Sequence, residues 1–513
     1  MTSSGMDSQE TLVSESPKPV PSEPDAAASS ARKLDRSLVH SLAWRAAGDW
    51  ASQVFSWTSL LIIVRLLAPS DFGIVAMAVI FFPFLREISE FGIPRIIVTF
   101  RELSEEQIGQ LNTAGALLGG FSFLLACAAA KPIAIFFKTP ALVPVIMVTC
   151  AALVPLGLRS VSEGLLIREM RFRSLSLYDA LNAVIAAAVT LVLAALHCGY
   201  WSLVLGNLLA VSLRSLLIWR ARPFRYAIPS LRAIRQELRF GWHVLVSLVA
   251  LNSYQRLDNL TSGRVLGQTA LGYYGMAWTL ANVPLEKITS LVTTVVPSYL
   301  AAVQKDQAAL RRYLRNLTES VALATFPATI GLGLVAQELV PLALGQKWVG
   351  VVGPLQVLSI YAAFRSIVAL LPKVLTSVGN ARYVMWNDLA ALVLLPIAFY
   401  IGSHWGNTGI AWGWVVAYPI VVIPLYRETL RTVDMPLKEY AASLRPAAEG
   451  SMVMAIAVLA VRQLLPASQP LVVRLTVEIL SGAAGYAGTL LLLHRERMLA
   501  FLRLGSSLRR RRR

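Results

Sequence analysis

The sequence predicts an all-α membrane protein of about fourteen transmembrane helices: two six-helix lobes related by a pseudo-twofold axis along the membrane normal, plus two C-terminal helices. Three observations predict it. Long apolar runs follow one another along the chain, arginine and lysine fall on one side of them, and an internal repeat links the two halves.

The 513 residues are 56% hydrophobic and only 15% charged, where a soluble domain carries roughly a quarter charged residues. Apolar runs long enough for a hydrocarbon core of about 30 Å cover 41–68, 71–92, 108–130, 141–160, 174–196, 199–219, 241–262, 270–300, 317–336, 350–378, 382–403, 408–427, 447–465 and 471–493. No gap between them would hold a folded extramembrane domain. Residues 1–40 read as a disordered cytoplasmic tail, 41–220 as the N-lobe and 240–430 as the C-lobe. The last two helices lie within 447–493, and 494–513 form a basic cytoplasmic tail. The first apolar run is too long for a signal peptide and lacks a small-residue cleavage site.

Cytoplasmic segments of membrane proteins collect Lys and Arg. With the N-terminus inside, thirty-three of the 47 Lys and Arg fall on the inner side, seven on the outer side (Arg65, Lys131, Lys138, Arg264, Lys347, Arg462 and Arg474) and seven within helices. A missed or extra helix early in the chain would destroy this bias. Both termini are therefore expected in the cytoplasm.

The repeat aligns residues 65–78 with 264–277 without gaps, at an offset of 199 residues. Arg65/Arg264, Leu67/Leu266, Gly73/Gly272, Met77/Met276 and Ala78/Ala277 are identical, and the same offset pairs Glu87 with Glu286. Both segments lie at the turn between the first and second helix of a half. Six helices per half is an even number, so both halves enter the membrane from the same side, the parallel-repeat arrangement of alternating-access carriers.

The formal charge of +18 would suggest nucleic acid on a soluble chain, but here the basic residues punctuate apolar runs and point to a bilayer. Cys127, Cys150 and Cys198 stand alone in apolar segments, which excludes a disulfide scaffold. His197, His243 and His404 lack metal-ligand spacing, and no GxxxxGK[ST] phosphate loop is present. The chain is expected to have no metal, no cofactor and no enzymatic activity. A membrane-embedded glycan polymerase or glycosyltransferase would need a large loop or catalytic domain for which there is no room.

Seven stretches carry a resemblance to a family: RLLAPSDFG (65–73), EFGIP (90–94), LLIREMRFRSLSL (165–177), GYWSLVLG (199–206), LRFGW (238–242), LGYYGMAW (271–278) and LGQKWVG (344–350). The chain resembles the Wzx-type polysaccharide and oligosaccharide flippases, of the same superfamily as the multidrug-extrusion carriers and the lipid II flippase. VPSYLAAVQKD (296–306) departs from the family pattern and blurs the inner end of helix eight. The resemblance implies a V-shaped bundle with a cationic lumen in the bacterial cytoplasmic membrane. It also implies transfer of an undecaprenyl-diphosphate-linked oligosaccharide to the outer leaflet for surface polysaccharide, exopolysaccharide or lipopolysaccharide biosynthesis. A polymerase and export machinery would act next to it.

Charges inside the spans are costly and each needs a partner or water. The first helix carries Arg45 and Asp49 on a polar stripe, the second Arg86, Glu87 and Glu90, and the seventh Arg256 and Asp258. Glu286 and Lys287 fall near the middle of the eighth and Arg365 near the middle of the tenth. The lumen reading places Arg45, Asp49, Arg86, Arg256, Asp258, Glu286, Lys287 and Arg365 around a wet cleft. Arg45, Arg86 and Arg256 would grip a diphosphate, since the guanidinium fork matches phosphate oxygens. The plainer reading makes Arg45–Asp49 and Arg86–Glu90 interfacial pairs and Arg256–Asp258 a structural pair. Lys373, Asp388, Arg214 and Asp179, near helix ends, read as structural. The closing arginines read as a ligand for anionic inner-leaflet lipids. A cation-coupled multidrug or metabolite antiporter is the alternative function, and it would call for a more acidic cavity.

Overall fold

The computed structural model describes residues 57–230, 234–253, 256–293, 306–466 and 468–495, and every regular element among them is helical. Eleven helices among these residues are long and apolar enough to cross a membrane. The remaining three expected positions are filled by α1 (Trp57–Leu66), by α10 (Arg235–Ser253) with α11 (Leu257–Thr261), and by α12 (Gln268–Thr293). Residues 41–56 of the expected first helix lie outside the described residues.

In the first half the spans are α2 (Pro69–Val79) with α3 (Phe82–Glu90), α5 (Glu105–Phe136), α6 (Leu142–Cys150) with α7 (Leu153–Arg168), α8 (Phe172–Ala195) and α9 (Trp201–Ala221). A short α4 (Ile93–Thr99) follows α3. The second half continues with α13 (Gln307–Leu334), α14 (Ala336–Ala343), α15 (Val352–Val368) with α16 (Leu371–Ser377), α17 (Ala381–Ser403) and α18 (Gly406–Thr432). A hairpin of α19 (Leu437–Leu464) and α20 (Leu471–Leu493) closes the described chain.

Several spans differ from the sequence expectation. Helices nine and thirteen begin ten residues earlier, because their first turns are amphipathic extensions bearing Arg311, Arg315 and Glu439. Asp306 caps α13, its carboxylate accepting from the Ala309 N–H at 3.0 Å. The fourth span runs to Arg168 rather than 160, so Arg159 lies inside it. The seventh comprises α10 and α11, with Arg256 (φ −122°) just before α11, and continues into a π-helical turn over Ser262–Leu266.

Packing follows the two halves. α5 packs on α3, α6 and α7, and α9 on α7 and α8; α15 packs on α12, α13 and α18. The terminal hairpin attaches through α19 to α13. Arg462 bridges Glu338 (3.0 Å) and Glu478 (2.9 Å), and Arg474 also reaches Glu338 (3.2 Å). Both carboxylates are buried, so this four-charge cluster fixes the hairpin to the second half. Large apolar side chains such as Leu124, Val192, Val393, Ile420 and Leu480 are exposed around the bundle, as a lipid-facing surface requires.

The halves meet through their repeated segments, α2 against α12. The contact is reciprocal. A Cβ on Gly73 would lie 1.7 Å from the Gln268 carbonyl oxygen, and one on Gly272 would lie 1.9 Å from that of Pro69. Pro69 and Gln268 are themselves related by the repeat offset. Residue i touching j′ while j touches i′ is what a twofold axis produces, so the duplication read in the sequence is present as a physical interface.

The preceding turns lock the same end. Arg65 donates to the carbonyls of Ala343 (3.0 Å) and Leu342, Lys347 donates back to the Arg65 carbonyl (2.7 Å), and the buried Trp348 indole donates to Val64 (2.9 Å). Arg264, the repeat mate of Arg65, stands over the Phe136 ring at 5.0 Å, at the end of α5. Each half's arginine thus touches the opposite half.

No side chain fits at either glycine without parting the backbones. Gly73→Val and Gly272→Val should each lower stability by about 1–3 kcal/mol, read as thermal unfolding in detergent. Gly120→Val, at a helix position with open space around it, should leave the midpoint unchanged. Equal losses at all three positions would contradict the interface.

Candidate functional site

α12 lies against α2 along the end that carries the Arg65 and Arg264 turns, and the contact falls away along α3. Toward the arginine-rich end of the helices α3 and α12 no longer pack closely on each other. On one side of this stretch of the seam stands α3. The two residues after it, Phe91 and Gly92, both adopt left-handed backbone (φ 45° and 66°), which turns the chain sharply into α4. The turn seats against α10, where a Cβ on Gly92 would meet the Val244 side chain at 3.0 Å. The Ser89 hydroxyl, donating to the Leu153 carbonyl at 2.9 Å, ties α3 to α7.

α3 presents Arg86, Glu87 and Glu90, and Arg86 is exposed. As the i,i+4 spacing anticipates, Arg86 Nε pairs with Glu90 Oε1 at 3.2 Å. Glu90 is shared. Arg159 of α7 reaches the same oxygen at 3.5 Å and also pairs with Glu163, which accepts from Arg214 of α9 at 3.0 Å; Arg214 in turn holds Asp179 of α8 at 2.7 Å. Six alternating charges run from the seam through the N-lobe, with Arg159 only 3% exposed. Sequence reasoning placed Arg159 at a helix end and missed it as an interior charge. Its i,i+4 relation to Glu163 was the available signal.

α12 forms the other side. Asn282 accepts from Arg365 of α15 at 2.9 Å, and the Arg365 guanidinium stands 5.7 Å above the Trp278 ring. One turn further, Glu286 and Lys287 are exposed. Glu87 and Glu286 are repeat mates, each roughly 27 Å from the start of its span by ideal helical rise, so both sides carry charge at one depth.

Two expectations change. Arg256 is half-buried just before α11, and among the described residues it makes no ion pair with Asp258. Asp258 is fully buried and does not line an opening. Its Oδ2 accepts from the Tyr274 hydroxyl (2.9 Å) and the Trp414 indole (3.1 Å), and its Oδ1 from the Asn259 backbone N–H (2.7 Å) and side-chain amide (3.0 Å). Four donors satisfy the carboxylate inside a cluster of Trp278, Tyr361, Phe399 and Trp414 rings. Asp258 belongs to the wall of the C-lobe rather than to the cleft, because its aromatic donors come from α12 and α18. Arg45 and Asp49 lie outside the described residues. Among the described residues no three His, Cys, Asp or Glu converge as a metal site would need.

The helical bundle resembles solved membrane-protein structures. A lipid II flippase, MurJ, in an inward closed conformation superposes with a TM-score of 0.72 over 89% of this chain and 99% of that one, at 15% identity. An inward-facing multidrug-resistance transporter of the MATE family gives a TM-score of 0.59 over 74% of this chain and 94% of that one, at 15% identity. By sequence the chain is 24% identical over 396 residues to the lipopolysaccharide biosynthesis protein WzxC of Escherichia coli, covering 75% of this chain and 79% of that protein. It is 23% identical over 423 residues to the succinoglycan biosynthesis transport protein ExoT of Rhizobium meliloti, covering 80% and 84%. The fold and its apolar helices define a multi-pass helical membrane protein. A model of the polysaccharide biosynthesis protein family matches residues 62–353, and the chain belongs to that family.

Breaking a buried ion pair from one side leaves uncompensated charge. Arg159→Met should therefore cost about 3 kcal/mol in thermal unfolding, whereas Arg86→Met, at the exposed end of the same chain, should cost under about 1 kcal/mol. Equal costs would show that the six charges do not form one buried network.

Proposed function

We propose that the protein flips an undecaprenyl-diphosphate-linked oligosaccharide across the cytoplasmic membrane for polysaccharide assembly, by alternating access through the seam between its halves. One observation carries this reading: α2 and α12 are locked at the end that carries the Arg65 and Arg264 turns, and beyond that contact α3 and α12 carry Arg86, Glu87, Glu90, Glu286 and Lys287. Family membership and the named relatives support the substrate class. Both termini are taken as cytoplasmic, so this charged end faces the side where lipid-linked precursors are made.

A diphosphate carries charge that hydrocarbon does not accept, so the path must supply cations that are available but not left bare. Arg86 meets both needs. Its carboxylate partner Glu90 already contacts Arg159, so an arriving phosphate displaces a partner that has somewhere to go. Arg86 then offers its fork to phosphate oxygens while Glu90 stays with Arg159. Arg256, just before α11, and Arg45 are assigned to the same anion. Arg365, Asn282 and Trp278 offer a polar and aromatic surface for sugar rings. Rocking about the locked end would close the charged end and open the other.

The antiporter reading is weaker. The terminal α19–α20 hairpin and the polysaccharide family match favour the glycan carrier.

Arg45→Ala, Arg86→Ala and Arg256→Ala should each reduce surface polysaccharide at least about tenfold in a strain lacking the native gene, with membrane insertion unchanged on immunoblots; Lys at each position should rescue only in part. Wild-type polymer in all three Ala variants would overturn the assignment.

A further inference from the structure

The seam is not the only place where cations sit beside an opening. At the arginine-rich end of the terminal hairpin, α19 and α20 enclose a pocket of about 440 Å³ whose polar wall is Arg445, Glu449 and His494. Its apolar floor is Met452, Val453 and Leu493, which are 64%, 40% and 66% exposed. The buried face of α19 runs through Tyr440, Ser443, Ala447, Gly450 and Met454, so Arg445, Glu449 and Met452 lie on the opposite, outward side. This site is therefore separate from the seam and opens to the bilayer.

Glu449 holds both side chains: Oε1 takes Arg445 Nε at 2.6 Å and Oε2 lies 2.9 Å from His494 Nε2. That geometry uses only one nitrogen of each. Among the described residues neither Nη group of Arg445 has a partner, and these two form the fork that receives two phosphate oxygens. Below the fork the wall turns apolar within two helical turns. Polar cation above and exposed hydrocarbon below match a phospholipid, with its phosphate at the fork and an acyl chain along Met452, Val453 and Leu493.

We propose that this pocket binds one anionic phospholipid of the cytoplasmic leaflet by its phosphate. The lipid source follows from the floor, since a free phosphate would leave it uncovered. The preference for an anionic headgroup follows from Arg445, whose side chain is 71% exposed beside the floor. Arg495 follows His494 directly, so the local charge also favours an anion.

The test is native mass spectrometry of the full-length protein exchanged between phosphatidylglycerol and phosphatidylcholine. The wild type should keep one phosphatidylglycerol under detergent that strips phosphatidylcholine. Arg445→Ala should lower that occupancy about tenfold, Arg445→Lys should lower it less, and Glu449→Gln should raise it by removing the competing anion. A purely structural role for Glu449 predicts the opposite for Glu449→Gln. Truncation after Arg495 should leave the single bound lipid in place, and millimolar glycerol phosphate should not displace it. Unchanged occupancy in Arg445→Ala, equal retention of both lipids, loss on tail truncation or displacement by glycerol phosphate would each overturn the proposal.

Discussion

Two backbone contacts determine the shape of this molecule. With no side chain at Gly73 or Gly272, the Gln268 and Pro69 carbonyls enter the opposite helix, and α2 and α12 come closer than any Cβ would allow. In a bilayer there is no hydrophobic force to press helices together, so close backbone approach and hydrogen bonds must do it. The Arg65, Lys347 and Trp348 bonds to backbone carbonyls add the second component at the same end. These attachments cluster at one end of two long helices, and beyond them α3 and α12 no longer pack closely on each other.

What lines the seam there is set by a second constraint, the intolerance of hydrocarbon for isolated charge. Acid and base alternate from Arg86 to Asp179, so the row of charges in the N-lobe nearly cancels. In the C-lobe, Asp258 receives four hydrogen-bond donors, and Arg365 meets an amide oxygen and a ring face. The repeat places Ser59 opposite Asp258 and Val75 opposite Tyr274. At these matched positions the two halves differ in chemistry.

Much of this was legible along the chain because it is local. A membrane span reads out as apolar length, and the last span, 471–493, coincides with α20 to the residue. The repeat was legible because identical residues recur at one offset, and the Arg86–Glu90 pair because it lies within one helical turn. The fate of Asp258 was not, since its donors Tyr274 and Trp414 come from other helices, 16 and 156 residues away in the chain. Arg159 was misread for a related reason. Hydropathy falls where Arg159 and Glu163 enter, so the span seems to end there, yet their mutual pairing lets the helix run on to Arg168.

The same pairing bears on how an anion can be bound and then released. An arginine held by a dedicated carboxylate must lose that contact to take a ligand, and the stranded carboxylate then opposes binding. Glu90 is not dedicated, because Arg86 and Arg159 already converge on one of its oxygens. Moving Glu90 toward Arg159 keeps the carboxylate compensated while Arg86 changes partner, so the exchange needs no unpaired buried charge at any stage. Release runs the same exchange in reverse. On the proposed function the ligand must be bound without being trapped, and a carboxylate shared between a buried and an exposed arginine would provide for both directions of the cycle.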